Sequence, residues 1–278
     1  MSAPLFYSNP IALNSETHRN LKIKPSDEGW KFSARTNSVL LAGAEFPEAC
    51  KHFPIVFAKI AGDQVLPMAM LGFRDMENLF VDAGGRWKGE YVPAYIRRYP
   101  FVLAKGPAGG ENFTVCIDES YPGFGADEGQ PLFNDKGEST DYLKAVLTFL
   151  QEFQTQIERT ALFLNTLREL DLLTEVSANV QLPSGERFSM AGLMMVDERK
   201  LQALPDDKVM RLFRSGELAW IYSHLLSIGN FNRLPGKALA PESTPARERD
   251  AASEKTTPPG KTAPANKSSH PQRPPAKK

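Results

Sequence analysis

A long amphipathic segment that begins after Ser139-Thr140-Asp141 limits the possible folds of this chain more than any other feature. Apolar residues recur along it at spacings of three and four, which predicts a helix with one buried face: Leu143, Val146, Leu147, Leu150, Phe153, Ile157, Ala161, Leu164 and Leu167. If it runs unbroken to about Leu173, it is about 50 Å long at 1.5 Å per residue. We therefore expect a helix that spans the domain or breaks near Thr160.

The half of the chain before this helix reads as β-rich. Short apolar runs separated by Gly-containing turn signals predict paired strands at 38–41, 53–60, 67–73 and 79–81. Two hairpins are expected, one turning at Gly62-Asp63 and one joining Asn78–Val81 to Arg86-Trp87. Residues 106–137 are rich in Gly, Pro, Asp and Glu and predict loop with one strand at 112–117.

After the long helix, the pattern predicts a hairpin and further helices. Residues 176–182 and 187–196 flank a Pro-Ser-Gly-Glu turn, and Asp197 is placed to cap a short helix through Leu204. Two more helices are expected, at 206–214 ended by Gly216 and at 217–228 ended by Gly229. The order predicts an α+β fold, with a β-rich part (1–135) packed with a helix-rich part (138–237).

The composition changes near residue 238. Residues 238–278 hold eight of the 22 prolines and almost no large apolar residue after Leu239, so they predict a disordered tail. The tail carries eight Lys and Arg against four Asp and Glu, which leaves 25 against 29 in residues 1–237. The tail is either a solvated extension or a weak electrostatic tether to an acidic partner.

Composition excludes several function classes. Lys and Arg balance Asp and Glu at 33 each, which gives no strong nucleic-acid signal, and two cysteines cannot form a disulfide framework. The four histidines lack the local spacing of metal ligands, and the glycine clusters lack the pattern of a phosphate loop, so no metal and no cofactor are expected. We find neither a signal-peptide pattern at the N-terminus nor a stretch of about 20 apolar residues for a transmembrane segment.

No residue stands out as catalytic. Cys50 lies two residues from His52, but a reactive thiol needs a base within reach and partial exposure, and a buried structural cysteine is favoured. The adjacent acidic pairs, such as Asp118-Glu119, fit solvation and capping better than general acid–base catalysis.

The most distinctive composition lies in Tyr91–Leu103, YVPAYIRRYPFVL, which we call the Tyr/Arg segment. Its two prolines exclude a long helix or a central strand. Tyrosines beside guanidinium groups suit recognition of a carboxylate, a sugar or a peptide. The alternative is an edge segment whose aromatics pack on helices while its arginines reach solvent or the Asp118-Glu119 loop. The candidate ligand- or partner-binding residues are Trp87, Tyr91, Tyr95, Arg97, Arg98, Tyr99 and His224.

Several motifs together resemble the bacterial SapC family over about residues 5–235, and the Tyr/Arg segment is the most specific of them. The others are His52–Phe57, Asn78–Asp82, Trp87, Cys116–Asp118, Leu132-Phe133 and Ile221–Leu225. The resemblance implies a protein related to the bacterial surface layer, and it implies no catalytic residues.

Three hypotheses follow. The favoured one is a non-enzymatic surface-layer or cell-envelope component or accessory, with a protein or glycan partner, or a second copy, bound at the Tyr/Arg segment. The second is a cytoplasmic enzyme or enzyme-accessory protein that binds a small anionic ligand or peptide in a pocket joining Trp87, Tyr95, Arg97, Arg98 and His224. The third is a nucleic-acid or anionic-surface binder acting through the tail. The missing signal pattern favours the cytoplasm, whereas the resemblance favours the cell surface.

Overall fold

The computed structural model describes residues 5–60, 64–105, 113–181 and 185–238. Its strands, in chain order, are β1 (Pro10–Ala12), β2 (Lys22–Ile23), β3 (Ser38–Leu40), β4 (Ile55–Lys59), β5 (Val65–Met70), β6 (Phe101–Lys105), β7 (Phe113–Asp118), β8 (Phe124–Gly125), β9 (Gln130–Pro131), β10 (Leu173–Gln181) and β11 (Arg187–Val196). Its helices are α1 (Phe46–Ala49), α2 (Ala94–Arg97), α3 (Asp141–Glu169), α4 (Glu198–Gln202), α5 (Asp206–Ser215), α6 (Glu217–Ser227) and α7 (Leu234–Ala238). The combination of helices with antiparallel sheets confirms the α+β prediction.

The strands form three antiparallel sheets. The largest has the order β10-β11-β4-β5-β3, and two smaller sheets have the orders β1-β7-β6 and β8-β2-β9. The predicted pairing of β4 with β5 is confirmed, as is that of β10 with β11, whereas the turn residues Gly62-Asp63 and Pro183-Ser184 lie outside the described residues. β6 bonds only to β7, which places the strand that follows Pro100 at a sheet edge, as the prolines require.

The prediction that residues 78–81 and 86–87 form a hairpin of two strands is wrong. Residues 78–87 form a turn closed by a single bridge between Val81 and Trp87 rather than two strands. The Asn78 side chain explains why: its amide donates to the Ser33 carbonyl and its oxygen accepts from the Phe80 N–H. These bonds hold the backbone around Asn78 in a turn, whereas a strand would pair its main-chain groups with those of a neighbouring strand.

The long helix is continuous. Thr140 caps α3 by accepting from the Leu143 N–H, and the helix passes Thr160 without a break over 29 residues, or about 43 Å. It ends before the predicted limit because Asp171 adopts a left-handed conformation, with a φ of 49°. The N–H groups of Asp171 and Leu172 then bond to the carbonyls of Arg168 and Leu167, which closes the helix.

The helix joins two hydrophobic cores. Its N-terminal half contributes Leu143 and Leu150 to a core shared with β6 and β7, and its C-terminal half contributes Phe163 and Leu167 to the larger core around β4 and β5. Between them, Phe153 packs with Ala42 and Ala94. The Tyr/Arg segment therefore starts at the junction of the two cores.

The C-terminal helices follow the sequence pattern with one exception. Asp197 caps α4, and Gly216 ends α5 with a φ of 79°, as predicted. The prediction that Gly229 ends the last helix is wrong, because α6 stops at Ser227 and the chain continues as a 3-10 helix over Ile228–Asn232. This continuation brings the Asn230 amide to the carbonyls of Cys50 and Phe53, to which it donates.

The described residues group into one compact unit, to which all the described elements belong. No helix among the described residues combines the length and the apolar character needed to cross a membrane. Apart from Ala238, the predicted tail lies outside the described residues, so its disorder remains a prediction.

Candidate functional site

The Tyr/Arg segment is held in place by Glu45, which lies after β3 in the chain. One carboxylate oxygen of Glu45 accepts from the Tyr91 hydroxyl at 2.6 Å and from the Ala94 N–H at 2.7 Å. The other accepts from the Ala42 N–H at 2.9 Å. Because Ala94 is the first residue of α2, Glu45 satisfies one of the free N–H groups of that helix from outside it.

Both arginines of the segment are oriented by aromatic rings. The Arg98 guanidinium lies 3.9 Å from the centre of the Tyr95 ring and 5.6 Å from that of Phe153. The Arg97 guanidinium lies 5.2 Å from the centre of the Phe149 ring, and its Nε donates to the Val92 carbonyl at 2.9 Å. Ring contacts of this kind fix the plane of a guanidinium group without neutralising its charge.

The Tyr99 ring is held by Phe32, with ring centres 4.2 Å apart, and its hydroxyl points toward Asp118 Oδ2 at 3.4 Å. Burial and the negative charge of Asp118 raise the pKa of Tyr99 to about 12. Burial acts to raise the pKa of Asp118 too, but hydrogen bonds from Ser120 and from the Ser8 N–H outweigh it, and the pKa is lowered. Tyr99 is therefore a neutral hydroxyl beside a carboxylate that is already bonded.

A cleft of about 450 Å³ opens beside this segment, and we call it the arginine cleft. One wall is α3, from which Tyr142, Val146 and Phe149 line the cleft at the spacing i, i+4, i+7 of a single helix face. The other lining residues come from the Tyr/Arg segment and from the chain around β2, β7 and β9: Ile23, Lys24, Pro25, Arg97, Arg98, Tyr99, Pro100, Phe101, Tyr121 and Gln130. The walls are aromatic, with cationic groups among them.

The charge of the arginine cleft is positive. No Asp or Glu lines it, and within the described part of the chain neither Arg97 nor Arg98 has a carboxylate within 4.0 Å. Lys24, the third cation, is already paired with Glu128 at 3.0 Å. The Nε of Arg98 is buried and has no hydrogen-bond partner. Two arginines of the cleft lining thus have no carboxylate partner among the described residues.

The other predicted site residues lie away from the cleft or support it. Trp87 stacks on Phe80 and donates through Nε1 to the Tyr91 carbonyl at 2.9 Å, which makes it a packing residue. Tyr91 is held by Glu45, and Tyr95 lies under Arg98. The structure therefore brings Arg97, Arg98 and Tyr99 into one cleft, with Tyr91 and Tyr95 behind them.

His224 is separated from this group in the larger core, where it is fully buried. The Val196 N–H donates to its Nε2 at 3.1 Å, so Nδ1 carries the proton and donates to the Ile55 carbonyl at 2.9 Å. Burial lowers the pKa of His224 to about 4. Neither nitrogen is available to a ligand, and in the part of the chain that the structure describes, the cleft lined by Arg97 and Arg98 does not include His224.

Cys50 and His52 do not form a nucleophile and base. Burial raises the pKa of the Cys50 thiol, and its Sγ donates to the Pro47 carbonyl at 3.4 Å. The His52 ring faces Glu48, with Nε2 at 3.8 Å from Oε1. Among the described residues, no group of three or more His, Cys, Asp or Glu side chains is placed to hold a metal ion.

Sequence reasoning missed several residues of the site. Tyr142 and Phe149 lie on a helix face beside the apolar one, and the spacing of Tyr142, Val146, Phe149 and Phe153 could have revealed it. Glu45 gave no signal, because its partners Tyr91 and Ala94 are more than 40 residues away. Lys24 and Tyr121 reach the cleft only through the pairing of the small sheets.

The fold and the cleft define an α+β protein with a cationic, aromatic-walled cleft. The SapC family model matches residues 13–234, and the chain belongs to the SapC family. The match includes the Tyr/Arg segment and every described residue that lines the arginine cleft. Searches of the curated proteins and of the solved structures find no significant match.

Proposed function

We propose that this SapC-family chain is a non-enzymatic component or accessory of the bacterial surface layer or cell envelope, and that it binds its partner at the arginine cleft. The observation that carries the proposal is the pair of guanidinium groups of Arg97 and Arg98, which line an open cleft without a carboxylate partner among the described residues. Aromatic side chains and arginine are the residue types that contribute most to binding surfaces. The link to the surface layer comes from what the family resemblance implies.

The size of the cleft favours a second candidate, a cytoplasmic enzyme-accessory protein that binds a small anionic ligand. About 450 Å³ lies within the range of roughly 300–1,000 Å³ that small-molecule sites occupy. The two candidates share the binding surface and differ in cellular location, so location distinguishes them.

The test combines fractionation of the native host with site-specific cross-linking. A photoreactive phenylalanine analogue replaces Tyr142, which lies at the cleft and is 37% exposed, and in a second strain it replaces Tyr222, which is 45% exposed on α6. The proposal expects the chain in the envelope fraction and a cross-linked product there from position 142 but not from position 222.

A double variant provides the charge test. Arg97→Gln with Arg98→Gln should remove the cross-linked product at position 142, whereas Arg199→Gln with Arg214→Gln, which changes two exposed arginines outside the cleft lining, should leave it. Recovery of the wild-type chain only in the cytoplasm would reject the envelope role and favour the second candidate.

A further inference from the structure

The cations that line the arginine cleft indicate the charge of its ligand. The Nε of Arg97 donates to the Val92 carbonyl, and among the described residues neither Arg97 nor Arg98 has a carboxylate within 4.0 Å. Two arginines that line an open cleft without an anionic partner favour an anionic ligand there. Two guanidinium groups together select an oxyanion.

The orientation of the guanidinium groups is also fixed before binding. The Tyr95 ring holds that of Arg98, and the Phe149 ring holds that of Arg97. Because these planes are set by packing, little side-chain freedom is lost when an oxyanion binds.

The other residues that line the cleft indicate which chemical group carries the oxyanion. Tyr142, Val146 and Phe149 offer ring and aliphatic surface from α3, while Gln130 and Lys24 place polar groups across from them. A sugar ring has an apolar C–H face and a hydroxyl edge, which match these two kinds of surface. The side chains of Lys24 and Gln130 are both exposed, so a group with a hydroxyl edge can keep that edge in water beside them.

We propose that the arginine cleft binds an acidic saccharide, a sugar ring that carries a carboxylate or a phosphate, with Arg97 and Arg98 on the oxyanion and Tyr142 and Phe149 along the ring. This inference names the ligand of the same cleft, and it rests on the proposed function only for the identity of the binding surface. A carboxylate and a phosphate both accept paired hydrogen bonds from arginine, so the titration below uses one acidic sugar of each kind.

The experiment is calorimetric titration of the purified full chain with glucuronate, glucose 6-phosphate, glucose, inorganic phosphate and benzoate. We expect one of the two acidic sugars to bind at least tenfold more tightly than glucose, phosphate or benzoate. The tighter of the two identifies the oxyanion. Equal binding of benzoate would overturn the saccharide assignment, and equal binding of glucose would overturn the role of the arginines.

Two variants test where the acidic sugar binds. Arg97→Gln, at an exposed side chain, should weaken its binding at least tenfold, and Tyr142→Ala should weaken it while leaving any binding of inorganic phosphate unchanged. The Arg199→Gln and Arg214→Gln pair should have no effect. Failure of both acidic sugars to bind would reject the ligand class, while the cross-linking at position 142 and the cellular location would still decide the proposed function.

Discussion

Glu45 shows how one side chain positions the Tyr/Arg segment. It accepts three hydrogen bonds, from the N–H groups of Ala42 and Ala94 and from the Tyr91 hydroxyl. Burial, followed by the charge of Glu45, raises the pKa of Tyr91 well above its usual range, so the hydroxyl keeps its proton and remains a donor. The start of α2, and with it the direction of both arginines, depends on this carboxylate.

We expect Glu45→Ala to lower the free energy of unfolding by about 2–3 kcal/mol, since hydrogen bonds to a charged group contribute about 1.5–3 kcal/mol and the Ala94 N–H would lose its acceptor. Urea denaturation measures the change. Glu48→Ala, on the exposed surface of α1 where Glu48 pairs with Lys51, is the matched control and should change stability by less than about 0.5 kcal/mol. Equal effects of the two substitutions would contradict this role of Glu45.

At the scale of elements, a polar stripe fastens α6 and the following 3-10 helix to the start of β4. His224, Ser227 and Asn230 are spaced by three residues, and each bonds to main chain of residues 50–55. The Ser227 hydroxyl accepts from the Ile55 N–H at 2.9 Å, and His224 donates to the Ile55 carbonyl. Buried main-chain groups that no neighbouring strand reaches are thereby satisfied.

The buried His224 makes this contact sensitive to pH. Its pKa is lowered from 6.5 to about 4 in the folded chain, so below pH 6.5 the unfolded chain binds a proton that the folded chain does not. The contribution of His224 to the free energy of unfolding is therefore fully present above pH 6.5. It falls by about 3 kcal/mol as the pH is lowered toward 4.

Urea denaturation between pH 7.5 and pH 4 measures this effect by comparing wild type with His224→Gln, and the variant should show the shallower dependence. His18→Gln, at a partly exposed histidine outside the two cores, should keep the wild-type dependence. NMR titration of the wild-type ring checks the pKa without any variant, and a His224 pKa near 6.5 would contradict the prediction.

Local patterns and distant contacts differ in how far the sequence predicts them. The period of α3, the hairpin of β4 with β5 and the Gly216 terminus were predictable because neighbouring residues determine them. The partners of Glu45 and His224 were not, because Ile55 and His224 are 169 residues apart and only the packed core aligns them. For the same reason, the sequence could predict a binding role for the Tyr/Arg segment from its composition. It could not predict that His224 lies away from that segment.

For the whole molecule, α3 is the element that the two cores share. Leu143 and Leu150 belong to the smaller core, and Phe163 and Leu167 belong to the larger one, on the same unbroken helix. The arginine cleft takes its walls from α3 and from the Tyr/Arg segment at the junction. A change in either core should therefore reach the cleft and the other core together.

Tryptophan fluorescence can test this coupling, because Trp30, Trp87 and Trp220, the three tryptophans of the chain, all pack in the larger core. Leu132→Ala removes a fully buried side chain of the smaller core and should lower the free energy of unfolding by about 2–5 kcal/mol. If α3 couples the cores, the free energy of unfolding measured by fluorescence in urea falls by the same amount. The fluorescence transition then coincides with the far-UV circular dichroism transition.

The control for this test is Leu162→Ala, at a position on α3 that is 66% exposed, and it should leave both transitions within about 0.5 kcal/mol of wild type. A fluorescence midpoint that stays at the wild-type value in Leu132→Ala, while circular dichroism shows an earlier partial transition, would mean that the smaller core unfolds on its own. Coincident shifts would instead mean that the two cores unfold as one cooperative unit.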